Sequence, residues 1–282
     1  MRRILACIDG SEQSRWAAAL SVHLAGRMDA AVTLVHALAP APYPDMPAEA
    51  SPARREREGK LLEALVHKLG AAPASTSVLL GPPAEVISEA AKDEEVVLVV
   101  AGTRGHGLSR LFLGSFSDRL AQLSPKPLLL VRDRQSTLPG PGTWIAAGVD
   151  GSPESYAAVH MAAELARATG ASLRIVYVAP EPMMSGPEPY AIGLVEFELE
   201  HKEWATQLLR EAKAREARAG LDIDTELLVG STADQLADLA KAPAVVMVAV
   251  GHRGRGAIKR LLLGSVADRL AQLSPKPVLI VR

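Results

Sequence analysis

The 282-residue chain is poor in cysteine, in aromatics and in net charge, and each shortage removes a class of protein. A single cysteine, Cys7, allows no internal disulfide and fits a reducing compartment. Aromatic residues are only 4%, so the cores must be built from Ala, Val and Leu, which suits parallel sheets covered by helices. A formal net charge of −1 offers no global basic field for nucleic acid or an anionic membrane. No stretch reaches the roughly 18 to 20 apolar residues of a membrane span. The start, Met1 to Cys7, runs at once into Asp9 and does not read as a signal peptide. These absences predict a soluble, cytoplasmic protein without nucleic-acid or membrane partners. Hydrophobic content of 48% is nevertheless enough for real cores, and the length suggests two ordinary domains.

What is present is said twice. Gly251 to Ser265 reads GHRGRGAIKRLLLGS, between an apolar run, Val245 to Val250, and a helical pattern, Val266 to Leu273. Gly102 to Ser115 reads GTRGHGLSRLFLGS, and the sequel DRLAQLSPKP occurs both at Asp118 to Pro127 and at Asp268 to Pro277. Both copies end in apolar runs, Leu128 to Val131 and Val278 to Val281. A repeat half a chain apart means two whole domains rather than a solenoid. Between them, the Pro- and Gly-rich passage within Arg132 to Thr143 marks a junction. It divides the chain into domains 1–134 and 144–282 with a linker at 135–143.

Each half alternates strand and helix. In the first, the apolar runs Ile4 to Ile8, Ala31 to Leu38, Ser75 to Leu80 and Val96 to Ala101 read as strands, with Leu128 to Val131 as the fifth. Helical spacing covers Ser14 to Gly26, with Gly26 as expected C-cap, then Arg54 to Leu69 with Leu61, Leu62, Leu65 and Leu69 on one face, and Ala84 to Ala91. The second half repeats the order through Ile145 to Val149, Ser172 to Val178, a helix over Val195 to Ala219 closed by Gly220, Asp224 to Val229 and Val245 to Val250. Pro-rich loops, Pro40 to Pro52 and Pro180 to Pro189, follow both second strands. The expectation is α/β: two tandem doubly wound parallel-sheet domains of five strands each.

In such sheets ligands collect beyond the C-terminal strand ends, where strand order reverses. If the order is 3-2-1-4-5, Asp9 and Gly102 share one crevice, and Asp150 and Gly251 share another. Glycines bring bare backbone close to a ligand, and a helix N-terminus favours an anion. Arg253, Arg255, Lys259 and Arg260 add positive charge, so the passage reads as a polyphosphate cradle. Each part has a plainer explanation. An Asp before Gly-Ser is more often a helix cap or turn former than a ligand, and the cations equally make a solvated helix face. The twin LSPKP reads structurally, Pro ending a helix and starting an edge strand. The histidines lack metal-ligand spacing, His106 and His252 being loop donors at most, and Cys7 reads as a small core residue. Neither a Walker A loop nor a nucleophile elbow occurs.

With both passages in hand, the whole chain resembles a tandem universal stress protein, and through it a Rossmann-like, adenine nucleotide alpha hydrolase-like fold. Gly251, Gly254, Gly264 and Ser265 match the G-x2-G-x9-G-[ST] pattern of that family's ATP-binding subclass. The resemblance implies ATP as ligand, any Mg2+ arriving with it. It puts Asp150 at the adenosine end, Val178 at the base, Gly251 and Gly254 at the ribose–phosphate, and the Gly264, Ser265 and Val266 amides at the phosphates. The corresponding first-domain positions are Asp9, Ala37, Gly102, Gly105, Gly114, Ser115 and Phe116. There only eight residues separate Gly105 from Gly114, so nucleotide is expected more in the second domain. The resemblance further implies a stress-response module with at most slow ATP hydrolysis, its domains joined as an intramolecular pseudo-dimer through the terminal strands, with a homodimer beyond that. The rival readings are a nucleotide-independent scaffold and an adenylyl-transferring enzyme, the latter opposed by the absence of SGGxDS-like and HxGH motifs.

Overall fold

Short strands whose successive side chains point to opposite faces need cover on both, and the helices supply it. The computed structural model describes residues 1–39, 52–70, 74–103, 114–133, 137–181, 191–217, 220–254 and 263–282. The first unit runs β1 (Arg3–Cys7), α1 (Glu12–Met28), β2 (Ala31–Leu38), α2 (Pro52–Leu69), β3 (Ala74–Leu80), α3 (Pro83–Ala90), β4 (Val96–Gly102), α4 (Ser115–Leu123) and β5 (Leu128–Val131). The second runs β6 (Trp144–Gly148), α5 (Pro153–Thr169), β7 (Ser172–Ala179), α6 (Ala191–Glu216), β8 (Ile223–Val229), α7 (Thr232–Leu239), β9 (Val245–Gly251), α8 (Ser265–Leu273) and β10 (Val278–Val281).

Ile4, Ala6, Leu98 and Val100 pack on one face with Leu24 of α1 and Leu62 of α2. Their neighbours Leu5, Cys7, Val99 and Ala101 pack on the other with Ile87 of α3 and Leu120 of α4. The second unit divides in the same way, Ile145 and Ala147 towards α5 and α6, Ala146 and Val248 towards α7 and α8. Alanines such as Ala17, Ala18, Ala162 and Ala163 are fully buried and let α1 and α5 lie close to the sheet.

The strand order is β3-β2-β1-β4-β5-β10-β9-β6-β7-β8, so the expected 3-2-1-4-5 order occurs twice within a single ten-stranded sheet. Pairing is parallel inside each unit, as in β1 with β4 and β6 with β9. Between β5 and β10 it is antiparallel, with Leu279 opposite Leu129 and Ile280 opposite Leu128. The LSPKP sequel therefore needs correcting: Pro127 and Pro277 precede strands that are inner, not edge, in the whole chain. Arginines clamp this junction reciprocally. Arg132 donates to the carbonyls of Ala271, at 2.6 Å, and Gln272, at the end of α8. Arg282 donates to the Gln122 carbonyl at the end of α4.

Several local expectations also change. α1 runs through Gly26 and ends at Asp29, whose φ of 51° is the left-handed cap conformation and whose amide bonds Ala25 O. Asx side chains tolerate that conformation through local hydrogen bonding, so no glycine was needed. Leu61 does not join the apolar face of α2: it is 59% exposed, whereas Leu62 is buried. α6 starts earlier, at Ala191, and ends at Glu216, short of Gly220. Residues 40–51 and 182–189 of the Pro-rich loops lie outside the described residues. Among the described residues no helix is long and apolar enough to cross a membrane.

Candidate functional site

β6 delivers Asp150 to the C-terminal rim of the sheet, where the chain must turn sharply into α5. Gly151 supplies the turn with a φ of 83°, a region side chains avoid. Asp150 Oδ1 accepts from the Ser152 amide at 2.9 Å and from the Ser152 hydroxyl at 2.5 Å. Ser152 in turn caps α5, accepting from the Ser155 amide at 3.2 Å. The turn-former explanation of this Asp is thus correct as far as Oδ1 goes, the cap of α5 being Ser152. It does not account for Oδ2.

Asp150 Oδ2 faces the glycine passage. A Cβ added to Gly254 would fall 2.4 Å from that oxygen, so the bare backbone of the passage lies against the carboxylate. Gly251 abuts the first turn of α5: its Cβ would sit 2.9 Å from Glu154 C and from Ser155 N. Gly264 folds back on the same passage, its Cβ position 2.9 Å from His252 O and 3.2 Å from Arg253 Cα. Close approach, rather than positive φ, explains all three glycines. Asp150, Gly251, Gly254 and Gly264 are therefore brought together, and Ser265 and Val266 open α8 directly after Gly264.

The helix end is built to leave donors available. Gly264 is the N-cap of α8 and no side chain caps it. Its own amide is engaged, donating to His252 O at 2.9 Å. The first helical amides, of Ser265 and Val266, have no intrahelical acceptor by the geometry of an α-helix. Val178 stands two strands away on β7, buried in one cluster with Val250 and Leu236. Arg255, Lys259 and Arg260 lie outside the described residues, as do Gly105 and His106 of the first passage.

In the first unit, Asp9, Ala37, Gly102 and Phe116 line one cavity of about 160 Å³ together with Cys7 and Ile87. Asp9 Oδ1 accepts from the Ser11 amide at 2.9 Å, and Gly114 and Ser115 begin α4 as their counterparts begin α8. The floor differs between the units. Where the first has Cys7 with Ala101 beside it, the second has Gly148, and a Cβ there would meet Leu236 Cδ1 at 3.1 Å and Val250 Cγ1 at 3.4 Å. Leu236 and Val250 thus pack directly against the bare backbone of Gly148.

Burial pushes the Cys7 thiol well up, and Asp9 adds to the effect, so it stays protonated and is a lining group rather than a nucleophile. Among the described residues no set of three His, Cys, Asp or Glu side chains could hold a metal ion. His252 is more than the loop donor expected of it: it is 3% exposed and reaches the first unit, 3.1 Å from Ala121 O. Burial first, then the charges of Arg282 and Arg253, lower its pKa to about 4, so it is neutral at pH 7. Sequence reasoning missed this residue and both clamping arginines. The signal available was the repeated Val-Arg ending, Val131-Arg132 and Val281-Arg282, just after each terminal strand.

Comparison with known proteins gives these features a context. The universal stress protein family matches residues 1–132 and again 144–282. A universal stress protein of Thermus aquaticus is 38% identical over 135 residues, which are 46% of this chain and 98% of that one. One of Mycobacterium bovis is 26% identical over 267 residues, 89% of this chain and 87% of its own. The crystal structure of a universal stress protein from Archaeoglobus fulgidus superposes with a TM-score of 0.70 at 17% identity, covering 99% of this chain and 96% of that one. At that identity the likeness concerns the fold.

Proposed function

Because this chain belongs to the universal stress protein family, whose domain it carries twice, we propose that it is an adenine-nucleotide-binding stress-response module. ATP is the ligand the crevices suit best. The observation that carries the proposal is the approach of Gly254 to Asp150, where a Cβ would lie 2.4 Å from Oδ2. A carboxylate that accepts ribose hydroxyls and a stretch of bare amides for phosphates meet at one sheet crossing. In this reading Asp150 and Val178 hold the nucleoside, Gly251 and Gly254 flank the ribose–phosphate, and the Ser265 and Val266 amides receive the phosphates beside Gly264. The first unit offers Asp9, Ala37, Gly102, Gly114, Ser115 and Phe116 in the same roles, with Gly105 as the remaining motif position.

The magnitudes suffice for binding. Charge-assisted hydrogen bonds contribute about 1.5–3 kcal/mol each. Three or four of them and an apolar slot for the base reach the roughly −8 kcal/mol of micromolar affinity after association costs. Turnover needs more, because an attacking water must be positioned. Asp150 already commits Oδ1 to its own turn, so hydrolysis is slow or absent and ATP occupancy is the signal. Any Mg2+ enters with the nucleotide.

We read the domains as 1–134 and 144–282, joined as a pseudo-dimer through the antiparallel β5–β10 pair. The test is a thermal shift with millimolar ATP on the intact chain and on Asp150→Asn. Asn retains the Oδ1 acceptor of the turn and replaces Oδ2 with an NH2 donor, so the unliganded melting temperature should hold while the ATP shift collapses. No shift in the intact chain overturns the reading.

A further inference from the structure

His252 joins three elements through one residue. Its amide donates to Val281 O of β10 at 2.6 Å, and its carbonyl accepts from Gly264 N, the N-cap of α8, at 2.9 Å. Its side chain crosses to the other unit, where Nε2 lies 3.1 Å from Ala121 O in the last turn of α4. A carbonyl only accepts, so Nε2 carries the proton and donates. Arg282 packs 3.2 Å from the same nitrogen and donates to the adjacent Gln122 carbonyl. Terminal helix carbonyls lack intrahelical donors, and these two side chains supply them.

We propose that His252 is a positioning residue for the second crevice, fastening its glycine passage to the far end of α4 and so coupling the two crevices. The inference rests on the nucleotide reading given above. α4 is a nine-residue helix whose first turn belongs to the first crevice. Gly114 donates to Thr103 O at 2.9 Å, and the Ser117 hydroxyl holds Gly102 O at 2.7 Å. The antiparallel junction makes the link geometric: the end of α4 remote from its own crevice arrives beside the glycine passage of the other unit. A shift of α4 at Ser115 is therefore delivered to His252, and through its carbonyl to Gly264.

The reciprocal link is missing. Thr103 occupies the place of His252 in the first unit, with the same backbone bonds to Val131 O and from Gly114 N, both 2.9 Å. Its hydroxyl is buried without a hydrogen-bond partner among the described residues. Among the described residues it is Arg132 that reaches from that side to the end of α8. Because coupling between sites is mutual, one side-chain link serves both directions.

The test uses the full chain with His252→Thr, which copies Thr103, His252→Gln, which retains an N–H donor, and His252→Asn, polar but too short to reach Ala121. Amide hydrogen exchange at Gly264 is read without ligand. It should quicken by about tenfold in the Thr and Asn variants and return towards wild type in the Gln variant. Unchanged exchange in whichever of Thr and Asn retains the native near-UV circular dichroism overturns the positioning role. ATP affinity of the second crevice is then titrated with and without Asp9→Ala. In the wild type Asp9→Ala should change it by about fivefold or more, and His252→Thr should abolish that dependence. Equal affinities in the wild-type pair overturn the coupling. Absence of ATP binding altogether refutes the nucleotide reading instead, and the exchange measurement still decides the positioning role.

Discussion

The two units share a frame and differ in what lies beneath it. Both turn from a first strand through Asp-Gly-Ser into a capped helix, and both open a later helix with an uncapped Gly-Ser. Under the first crevice Cys7 and Ala37 are small and line a cavity of about 160 Å³. Under the second, Gly148, Leu236 and Val250 close up until a single added carbon would be 3.1 Å from its neighbour. Passage spacing favours the second unit as the nucleotide site, while among the described residues the first unit lines a cavity. Spacing reports on the backbone that meets phosphates; the floor reports on the room for a ring. The two copies differ in both, by one residue in the spacing and by Cys7 against Gly148 in the floor.

Changes at the junction should show the least difference between the units and the largest effect. Leu279 and Leu129 are fully buried and face each other across β10 and β5. Leu279→Ala should cost about 2–5 kcal/mol. Because one core cluster spans both units, Trp16 in the first and Trp204 in the second should report a single, lower denaturation midpoint. Two separated transitions would mean that the units are independent.

The floor should respond more selectively. Gly148→Ala crowds Leu236 and should cost about 1–3 kcal/mol. Cys7→Ala, at the matching place over open space, should cost less, about 1 kcal/mol. Chemical denaturation of both variants checks the order, and a reversed order would remove the distinction drawn between the two floors.

The pH dependence separates the units through His252 and Thr103. With a folded pKa of about 4 against an ordinary 6.5, the unfolded chain binds a proton between those values that the folded chain refuses. Stability from this residue is complete above pH 6.5 and is lost as pH falls towards 4. Subtracting the profile of His252→Thr should remove a slope of up to one proton in that window, measured by urea midpoints at pH 4.5 and 6.5. The smallest effect concerns Cys7, whose raised pKa should make alkylation by iodoacetamide at pH 8 slow in the folded chain and fast in urea.

The legible part of this fold was whatever repeats with a local cause. Val96 to Ala101 and Val245 to Val250 are apolar runs bounded by glycine, and both are buried strands. Asp150 and Gly251 could be placed together because strands one and four are neighbours in a 3-2-1-4-5 sheet. What sequence could not give depends on contacts between distant segments. Asp29 replaced Gly26 as the stop of α1 through its own backbone conformation. Leu61 and Leu62 are equally apolar, and only the rotation of α2 on the sheet separates them. His252 gains its role from Ala121, on the opposite unit, which no spacing within its own passage reports.

One further consequence follows from the antiparallel meeting of β5 and β10. Strands of the two halves point in opposite directions, so the rim carrying Asp9 and the rim carrying Asp150 are the two opposite margins of the sheet. The mouths therefore open away from each other. Any flat body resting on one margin senses a single mouth, and reading both at once takes two visitors or one that wraps the molecule.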